Sequence, residues 1–391
     1  MTSRAVAGQP LELLRRLLLP AGAVVGITGI VAGLAFLRER QAANNLLAGI
    51  YDLLGNEGGA QALRQGAGDV LAAKLLLAAV AIVIGVGGIW LLYAGLNAVI
   101  ERLGGRWRDR LTPWLFVGPA LLLLAVYLVY PAVATIATSI NEGGGAAANY
   151  GAALTDRSMA IVFRNNLLWL VIGTGGSVIL GLLIAALVDR VRREALAKTF
   201  IFMPLAISLV GASVIWGFIY AWRPANQPQY GLLNAVVTGL GGDAVPWVQT
   251  SGFAANTLAL IVIMVWLQTG FAMVVLSAAI KGVSTEVIEA ARMDGANERQ
   301  LFFRVVVPMI KGSLITVTTT IAIVVLKIFD IVYVMTGGRF ETDVVANRMI
   351  REMFQFGNYG PAAALAVILF LAVLPLIVIN LRNLRRQGID A

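Results

Sequence analysis

Residues 254–280 read AANTLALIVIMVWLQTGFAMVVLSAAI, an unbroken apolar run without a charged side chain. A helix needs about 20 mostly apolar residues to cross the hydrocarbon core of a bilayer. Because lipid offers the backbone no hydrogen-bond partner, such a run predicts a transmembrane helix. Seven further stretches are long and mostly apolar, so the sequence predicts an all-α polytopic membrane protein with eight transmembrane helices. The predicted spans are Leu17–Leu37, Leu75–Ile100, Trp114–Ile140, Leu167–Val188, Thr199–Tyr220, Ala254–Ile280, Ser313–Met335 and Pro361–Leu381.

The composition agrees with this prediction and excludes several classes of site. Hydrophobic residues make up 59% of the 391 residues, charged residues only 13%, and the mean hydropathy is +0.83. The chain has no Cys and no His. Disulfides, thiolate nucleophiles, thiolate metal sites and histidine general bases are therefore excluded. The net charge of +9 is typical of cytoplasmic loops that face anionic lipid, and we expect no nucleic-acid partner.

The basic residues indicate an orientation in the membrane. With the N-terminus in the cytoplasm, nineteen Lys and Arg residues fall on the cytoplasmic side and ten on the outer side. We therefore expect both termini to be cytoplasmic. The first span follows Arg15 and Arg16 and resembles a charged leader. Its apolar run is longer than the core of a signal peptide, and we expect a retained anchor.

The longest predicted cytoplasmic loop, residues 281–311, lies between the sixth and seventh spans and is named the signature loop here. Ser284 is placed to cap a short helix, and Asp294-Gly295 predicts a turn before a second helical segment. Glu289 stands next to Ala290 and Ala291, so a carboxylate lies beside two minimal side chains that a partner can approach closely. The residues alone leave two interpretations open, a solvated connector or a docking element.

The signature loop resembles a known family. EAARMDGA at 289–296, followed by FFRVVVP at 302–308, resembles the EAA signature of permease subunits in ATP-binding-cassette (ABC) importers. The segments LKIFDIVYVMTGG at 326–338 and Trp266-Leu267 also resemble the carbohydrate branch, in particular the larger, eight-span permease of maltose-type transporters. The stretch ETDVVANRMIREMFQFGNYG at 341–360 resembles α-glucoside and glucosylglycerol permeases.

This resemblance implies a type I ABC-importer permease fold. It implies that residues 1–110 add two transmembrane helices and a short outer loop to a six-helix permease core at 111–391, which carries the signature loop. The chain would be a non-catalytic subunit of a sugar importer in the bacterial cytoplasmic membrane. Its partners would be a second permease, two copies of a cytoplasmic ATPase, an extracytoplasmic sugar-binding protein and membrane lipid.

The same resemblance implies that the signature loop couples ATP hydrolysis to transport. The residues that would dock on the ATPase are Glu289, Ala290, Ala291, Asp294, Gly295 and Ala296. The chain contains no GxxxxGK[ST] phosphate loop. We therefore expect no cofactor in this chain, with ATP and Mg bound by the partner ATPase.

The sixth span holds the predicted sugar site. Sugars offer hydroxyl groups and apolar ring faces, which amides, hydroxyls and aromatic rings recognise. The sixth span supplies these groups at Trp266, Gln268, Thr269 and Phe271. The resemblance to maltose-type permeases adds Met264 and Leu267. An alternative role for Gln268 and Thr269 is an interhelical hydrogen bond.

The seventh predicted span carries two charges, Lys327 and Asp330. Three residues apart on one helix, they would share a face. A charge inside a bilayer is costly without a partner or a polar cavity. Three roles stay open for the two residues, which are a structural ion pair, a position lining the sugar pathway, or snorkelling to the interface.

Two other classes of function were weighed against an ABC permease. An ion-gradient-coupled sugar carrier usually keeps functional carboxylates within the membrane, and only Asp330 is clearly so placed here. A membrane-embedded enzyme without His or Cys would need a carboxylate pair facing a cleft, and the spans contain none.

Overall fold

The computed structural model describes residues 40–53, 55–65, 86–88, 90, 93–95, 97, 105–189, 191–224 and 226–389. Within these ranges the regular structure is helical, with no strand. The chain divides into two compact units, residues 1–131 and 132–391.

The described part of the first unit contains α1 (Arg40–Leu53), α2 (Glu57–Arg64) and α3 (Gly105–Leu124). The Asn56 side chain caps α2 by accepting a hydrogen bond of 3.0 Å from the Gly59 N–H. An ion pair between Arg64 and Asp52 joins α2 to α1. These two helices form a small helical hairpin with Ala48, Ala60 and Leu63 as its buried core.

The rest of the chain is a series of helices of unequal length. They are α4 (Tyr130–Asn141), α5 (Gly145–Thr155), α6 (Arg157–Leu168), α7 (Thr174–Val188), α8 (Glu194–Phe202), α9 (Leu209–Ile219), α10 (Leu232–Gly239), α11 (Ala255–Lys281), α12 (Thr285–Met293), α13 (Glu298–Gln300), α14 (Val307–Met309), α15 (Lys311–Leu326), α16 (Asp330–Met335), α17 (Val345–Phe354) and α18 (Tyr359–Ile389). The π-helical segments are Ala125–Val129, Trp169–Gly173 and Leu301–Val306, and the 3₁₀ segments are Met203–Ala206 and Gly252–Ala254.

Four to six segments of the described chain are long and apolar enough to cross a membrane. Four are continuous: Phe116–Asn141, Arg157–Val188, Gly252–Lys281 and Tyr359–Asn383. Two more are bent pairs, Glu194–Ala206 with Leu209–Ile219 at 100°, and Glu298–Met309 with Lys311–Leu326 at 71°. These six coincide with the third to eighth predicted spans. The first predicted span and most of the second lie outside the described residues, so the total of eight stays a prediction.

The core of the second unit forms where α11 packs against α7. A Cβ atom placed on Gly181 would lie 2.4 Å from the Cβ of Ala272, so the two backbones are nearly in contact. A Cβ on Gly270 would lie 2.5 Å from the carbonyl oxygen of Ile201, which brings the α8 region equally close to α11. Around these contacts Leu260, Met264 and Met273 are fully buried.

The prediction of one continuous helix over Ser313–Met335 is wrong. Helix α15 ends at Leu326, and α16 begins only at Asp330. Between them Phe329 has φ −135° and ψ −55°, which is not helical. Ile328 is 2% exposed and Ile331 is fully buried, so side chains on both sides of the break pack into the core. Tertiary packing overrides the local helical pattern at this point.

Candidate functional site

The signature loop folds as a short helix followed by a tight turn. Helix α12 has Ser284 at its N-cap position and ends at Met293. Gly295 then adopts φ +84°, a left-handed conformation that glycine reaches without steric cost. The Ala296 N–H donates a 3.1 Å hydrogen bond back to the Ala291 carbonyl and closes the turn. The turn predicted at Asp294-Gly295 is confirmed.

Side chains fix the geometry on the far side of this turn. The Asn297 side chain accepts a hydrogen bond from the Gln300 N–H at 2.9 Å, and the Gln300 side chain accepts one from the Asn297 N–H at 3.0 Å. The Arg292 guanidinium pairs with the Glu298 carboxylate at 3.1 Å across the turn. The segment then enters the core at Leu301 and Val306, which are 5% and 6% exposed.

One face of α12 is anchored and the other is open. Ile288 and Ala291 pack against the core. Glu289 and Ala290 are exposed, and the Glu289 carboxylate forms no hydrogen bond or ion pair with any described residue. The helix therefore presents a free carboxylate beside a minimal side chain. Asp294 and Gly295 are exposed as well, and Ala296 is half-buried.

A charged cluster lies at the base of the signature loop. Lys198 Nζ pairs with Asp189 at 2.9 Å and with Glu194 at 2.5 Å, and Lys281, the last residue of α11, also pairs with Glu194. Ser277 donates a hydrogen bond of 2.7 Å to Asp189. The cluster ties the ends of α7 and α11 to the start of α8, next to α12. In the sequence these lysines indicate only the orientation in the membrane, because their acidic partners Asp189 and Glu194 lie far from Lys281 along the chain.

The six candidate residues on the sixth span divide into buried and accessible groups. Met264 is fully buried, and Leu267 is 2% exposed, so both belong to the core of this conformation. Trp266, Gln268 and Phe271 are half-buried. The Gln268 amide bonds to no described residue, whereas the Thr269 hydroxyl donates to the Val265 carbonyl of its own helix at 2.6 Å. The suggested interhelical hydrogen bond is therefore wrong for Thr269, and the Gln268 amide is free to bind a solute.

Lys327 and Asp330 do not share a helix face, contrary to the prediction, because the helix breaks between them. They form no ion pair with each other or with any other described residue. Lys327 is exposed and lines an apolar cavity of about 540 Å³ with Phe329 and residues of α17 and α18. None of the six sixth-span candidates lines this cavity. A structural pair between the two charges is excluded for this conformation.

At the opposite end of α11, the loop at 336–347 is held by buried amides. Asn165 donates to the carbonyls of Glu341 and Asp343 at 2.7 and 2.9 Å, and Asn256, near the start of α11, donates to the Phe340 carbonyl at 2.5 Å. Phe340 and Glu341 have φ of 57° and 60°. These bonds hold two non-glycine residues in a strained left-handed conformation.

The Asp343 carboxylate is the centre of that loop. It accepts a hydrogen bond of 2.6 Å from Asn347 and pairs with Arg351 at 3.2 Å. Burial raises the pKa of the Asp343 carboxyl above its ordinary value, although the Asn347 hydrogen bond and the Arg351 charge act in the other direction. Among the described residues, no group of three or more acidic side chains is placed to hold a metal ion.

A family model and two related proteins point to the same class of protein. Residues 177–388 match the family described as "Binding-protein-dependent transport system inner membrane component". The chain is 53% identical over 277 residues to the osmoprotective compounds uptake permease protein GgtC of Synechocystis sp., covering 70% of this chain and 99% of that protein. It is 47% identical over 285 residues to the alpha-glucoside transport system permease protein AglF of Rhizobium meliloti, covering 72% of this chain and 84% of that protein.

A solved structure shares the fold. One chain of a bacterial alginate ABC transporter, in complex with an alginate pentasaccharide-bound periplasmic protein, superposes with a TM-score of 0.60 at 19% identity. The match covers 72% of this chain and 97% of that one.

Proposed function

The chain belongs to the family of inner membrane components of binding-protein-dependent transport systems, and we propose that it is the larger permease subunit of an ATP-driven sugar importer. It is a carbohydrate ABC permease, and the ATPase docking, the substrate and the partners given below are our proposals. The relatives named for alpha-glucosides and osmoprotective compounds favour a neutral glucoside, such as an α-glucoside or glucosylglycerol, as the solute.

The observation that carries this proposal is the open face of α12. Glu289 is exposed and without a described partner, yet its helix is anchored by Ile288 and Ala291. A basic residue in a groove of the ATPase would pair with Glu289, and Ala290 would let the two backbones approach. Breaking one buried interfacial charge pair costs about 2–5 kcal/mol. The family resemblance gives the proposed docking residues as Glu289, Ala290, Ala291, Asp294, Gly295 and Ala296, and of these Ala291 packs against the core in this conformation.

The charged cluster at the base of α12 provides the mechanical connection. It bonds the ends of α7 and α11 to the start of α8, so a displacement of α12 is passed to three helices together. ATP and Mg bind to the two ATPase subunits, and this chain contributes the moving helices. Closure of the ATPases would shift α12 and rock these helices as a rigid body, which gives alternating access.

The solute would meet the half-buried face of the sixth span. Trp266 and Phe271 offer ring faces, and the unbonded Gln268 amide offers a donor and an acceptor. Met264, Leu267 and Thr269 would shape the site once the helices around them separate. Lys327 and Asp330 stay candidates, lining the pathway only after such a rearrangement.

We further propose that both termini and the signature loop face the cytoplasm, and that the opposite end of α11 faces a sugar-binding protein. A second permease completes the pathway. Reconstitution tests the whole assignment. Vesicles holding both permeases, the ATPase and the binding protein should accumulate labelled glucosylglycerol only with internal ATP. Accumulation driven by an ion gradient without the ATPase would instead support a secondary carrier.

A further inference from the structure

A cleft lined by aromatic side chains lies at the end of α11 that is remote from the signature loop. Its volume is about 380 Å³, within the range of small-molecule sites. Six of its lining residues form the aromatic cleft discussed here: Phe218, Tyr220, Trp222, Tyr230, Trp247 and Gln249. The Tyr220 hydroxyl donates to the Ala259 carbonyl at 2.9 Å, which fixes the position of the cleft beside the first turns of α11.

The walls of the aromatic cleft are held by a fully buried amide. Asn234 donates to the carbonyls of Ala221 and Val245, both at 3.0 Å, and accepts from the Val245 N–H at 2.8 Å and from Trp247 Nε1 at 3.2 Å. Its hydrogen-bonding capacity is therefore used fully on the two sides of the loop. Gly231 lets these sides meet, since a Cβ there would lie 2.0 Å from the Ala221 carbonyl oxygen. The site is preformed.

Three polar groups at the edges of the cleft form no hydrogen bond with the described residues. Trp222 is half-buried, and its Nε1 bonds to no described residue. The Tyr230 hydroxyl and the Gln249 amide are also exposed and without a described side-chain partner. The Arg223 guanidinium lies 4.5 Å from the centre of the Tyr230 ring and supports that ring from outside the lining. Two rings with free donors thus stand beside a free amide.

This combination selects a narrow ligand class. None of the residues that line the aromatic cleft is acidic or basic, so a charged ligand would find no partner there. Aromatic faces take the apolar C–H face of a pyranose ring, and an indole N–H, a phenol and an amide take its hydroxyls. A purely apolar ligand such as an acyl chain would leave these polar groups without partners.

We propose that the aromatic cleft is a second sugar subsite, which binds a neutral pyranoside before it reaches the sixth span. Ala259 and Gln268 are nine residues apart on α11, about 14 Å along the axis, so the subsite is separate from the sixth-span candidates. This assignment rests on the proposed sugar import and adds a site to it. Trp222 is its principal platform, because it lines the cleft and its indole N–H bonds to no described residue, whereas Trp247 Nε1 and the Tyr220 hydroxyl already donate to the protein.

The test measures sugar binding without transport. The complete importer is placed in nanodiscs without ATP or binding protein, and saturation-transfer NMR is recorded with methyl α-glucopyranoside and glucosylglycerol. We expect the ring C–H protons to receive saturation. Trp222→Ala should weaken the apparent Kd about fivefold, and Trp222→Phe, which keeps a ring face, should retain most of the affinity.

Two controls make the result specific. Phe354→Ala removes an exposed aromatic side chain outside the cleft and should leave the Kd unchanged. Gln268→Ala should reduce only the part of the signal that arises at the sixth span. Equal affinity in wild type and Trp222→Ala, with both folded by size-exclusion chromatography, overturns the subsite. Loss of all saturation transfer in Gln268→Ala would also overturn it, by assigning the sugar to the sixth span alone.

A failure of the proposed import function gives a result that differs from a failure of the subsite. A wild-type importer that binds the sugar but never accumulates it with ATP contradicts the proposed function and leaves the cleft intact. An importer that accumulates sugar with the same half-saturation concentration in Trp222→Ala as in wild type contradicts the subsite alone.

Discussion

The two ends of α11 are built in opposite ways. At the signature loop, the backbone turn is fixed by local bonds, but the Glu289 carboxylate makes no bond to the described chain. At the other end, the loop at 336–347 and the segment around Asn234 use buried amides to fix almost every backbone turn. One end thus offers unused groups on a rigid support, as a docking surface requires. The other end uses its buried amides internally and presents the aromatic cleft.

The largest expected effect is at the open end. Glu289→Lys places a cation where we propose that a basic groove of the ATPase docks, so ATP-driven uptake should fall to background while the protein still inserts. Uptake by reconstituted vesicles measures this. Asp109→Lys is the matched control, since Asp109 is an exposed carboxylate of α3, outside the signature loop and the aromatic cleft, and has no described partner. Normal uptake by correctly inserted Glu289→Lys would remove Glu289 from the coupling role.

The second prediction concerns the end of α11 that is held by buried amides. Gly231→Ala forces a methyl group to within 2.0 Å of the Ala221 carbonyl oxygen, and we expect it to destabilise the protein by about 1–3 kcal/mol. Thermal unfolding followed by tryptophan fluorescence checks this. Gly239→Ala, where an added Cβ would meet nothing within 4 Å, should leave the midpoint unchanged or raise it. Equal midpoints for the two variants would mean that the Gly231 contact relaxes freely.

The third prediction concerns the middle of α11. Gln268→Ala removes a free amide from the proposed sugar site, and we expect the concentration for half-maximal uptake to rise about fivefold, the size of one hydrogen bond. Initial uptake rates over a range of glucosylglycerol concentrations measure it. Gln355→Ala, at an exposed amide after α17, should not change the rate curve. If both variants behave like wild type, Gln268 does not contact the sugar.

The smallest expected effect is a pH dependence of thermal stability that arises from Asp343, in the loop at 336–347. The pKa of Asp343 in the folded protein is raised above its ordinary value of 3.8. Protonation of Asp343 therefore contributes to the folding stability in full below pH 3.8, and this contribution is lost as the pH rises through the folded pKa. Wild-type midpoints should therefore fall over this interval relative to Asp343→Asn, which does not titrate. Parallel midpoint curves for the two proteins would show that Asp343 titrates normally.

The sequence predicted those features that depend on neighbouring residues. Apolar runs overlap the four continuous and two bent segments of the described chain that are long and apolar enough to cross a membrane, and the Asp294-Gly295 pair located the turn after α12. The family resemblance based on EAARMDGA is confirmed by the family match and by the two permease relatives. The docking role and the sugar-site residues are predictions that the experiments above test, and the domain division at residue 110 stays a prediction.

The missed features all depend on residues distant in the chain. The charged cluster joins Asp189, Glu194 and Lys198 to Lys281, and nothing in the local sequence pairs them. The break after Leu326 follows from core packing of Ile328 and Ile331, which a helical pattern does not reveal. The aromatic cleft gathers Trp222, Tyr230 and Trp247 from both sides of α10, and only the fold of the segment between α9 and α11 shows that they share a cavity.

The near-contact of Gly181 with Ala272 restricts how this molecule can change shape. Because the two backbones lie this close, sliding one helix along the other would bring larger side chains against the Gly181 backbone, so we expect α7 and α11 to move together. The flexing is then left to the places where helices already bend, at Ile207 between the halves of the fifth span and at Ile310 between those of the seventh. Stiffening either bend should slow the transport cycle, and it should leave sugar binding at rest unaltered.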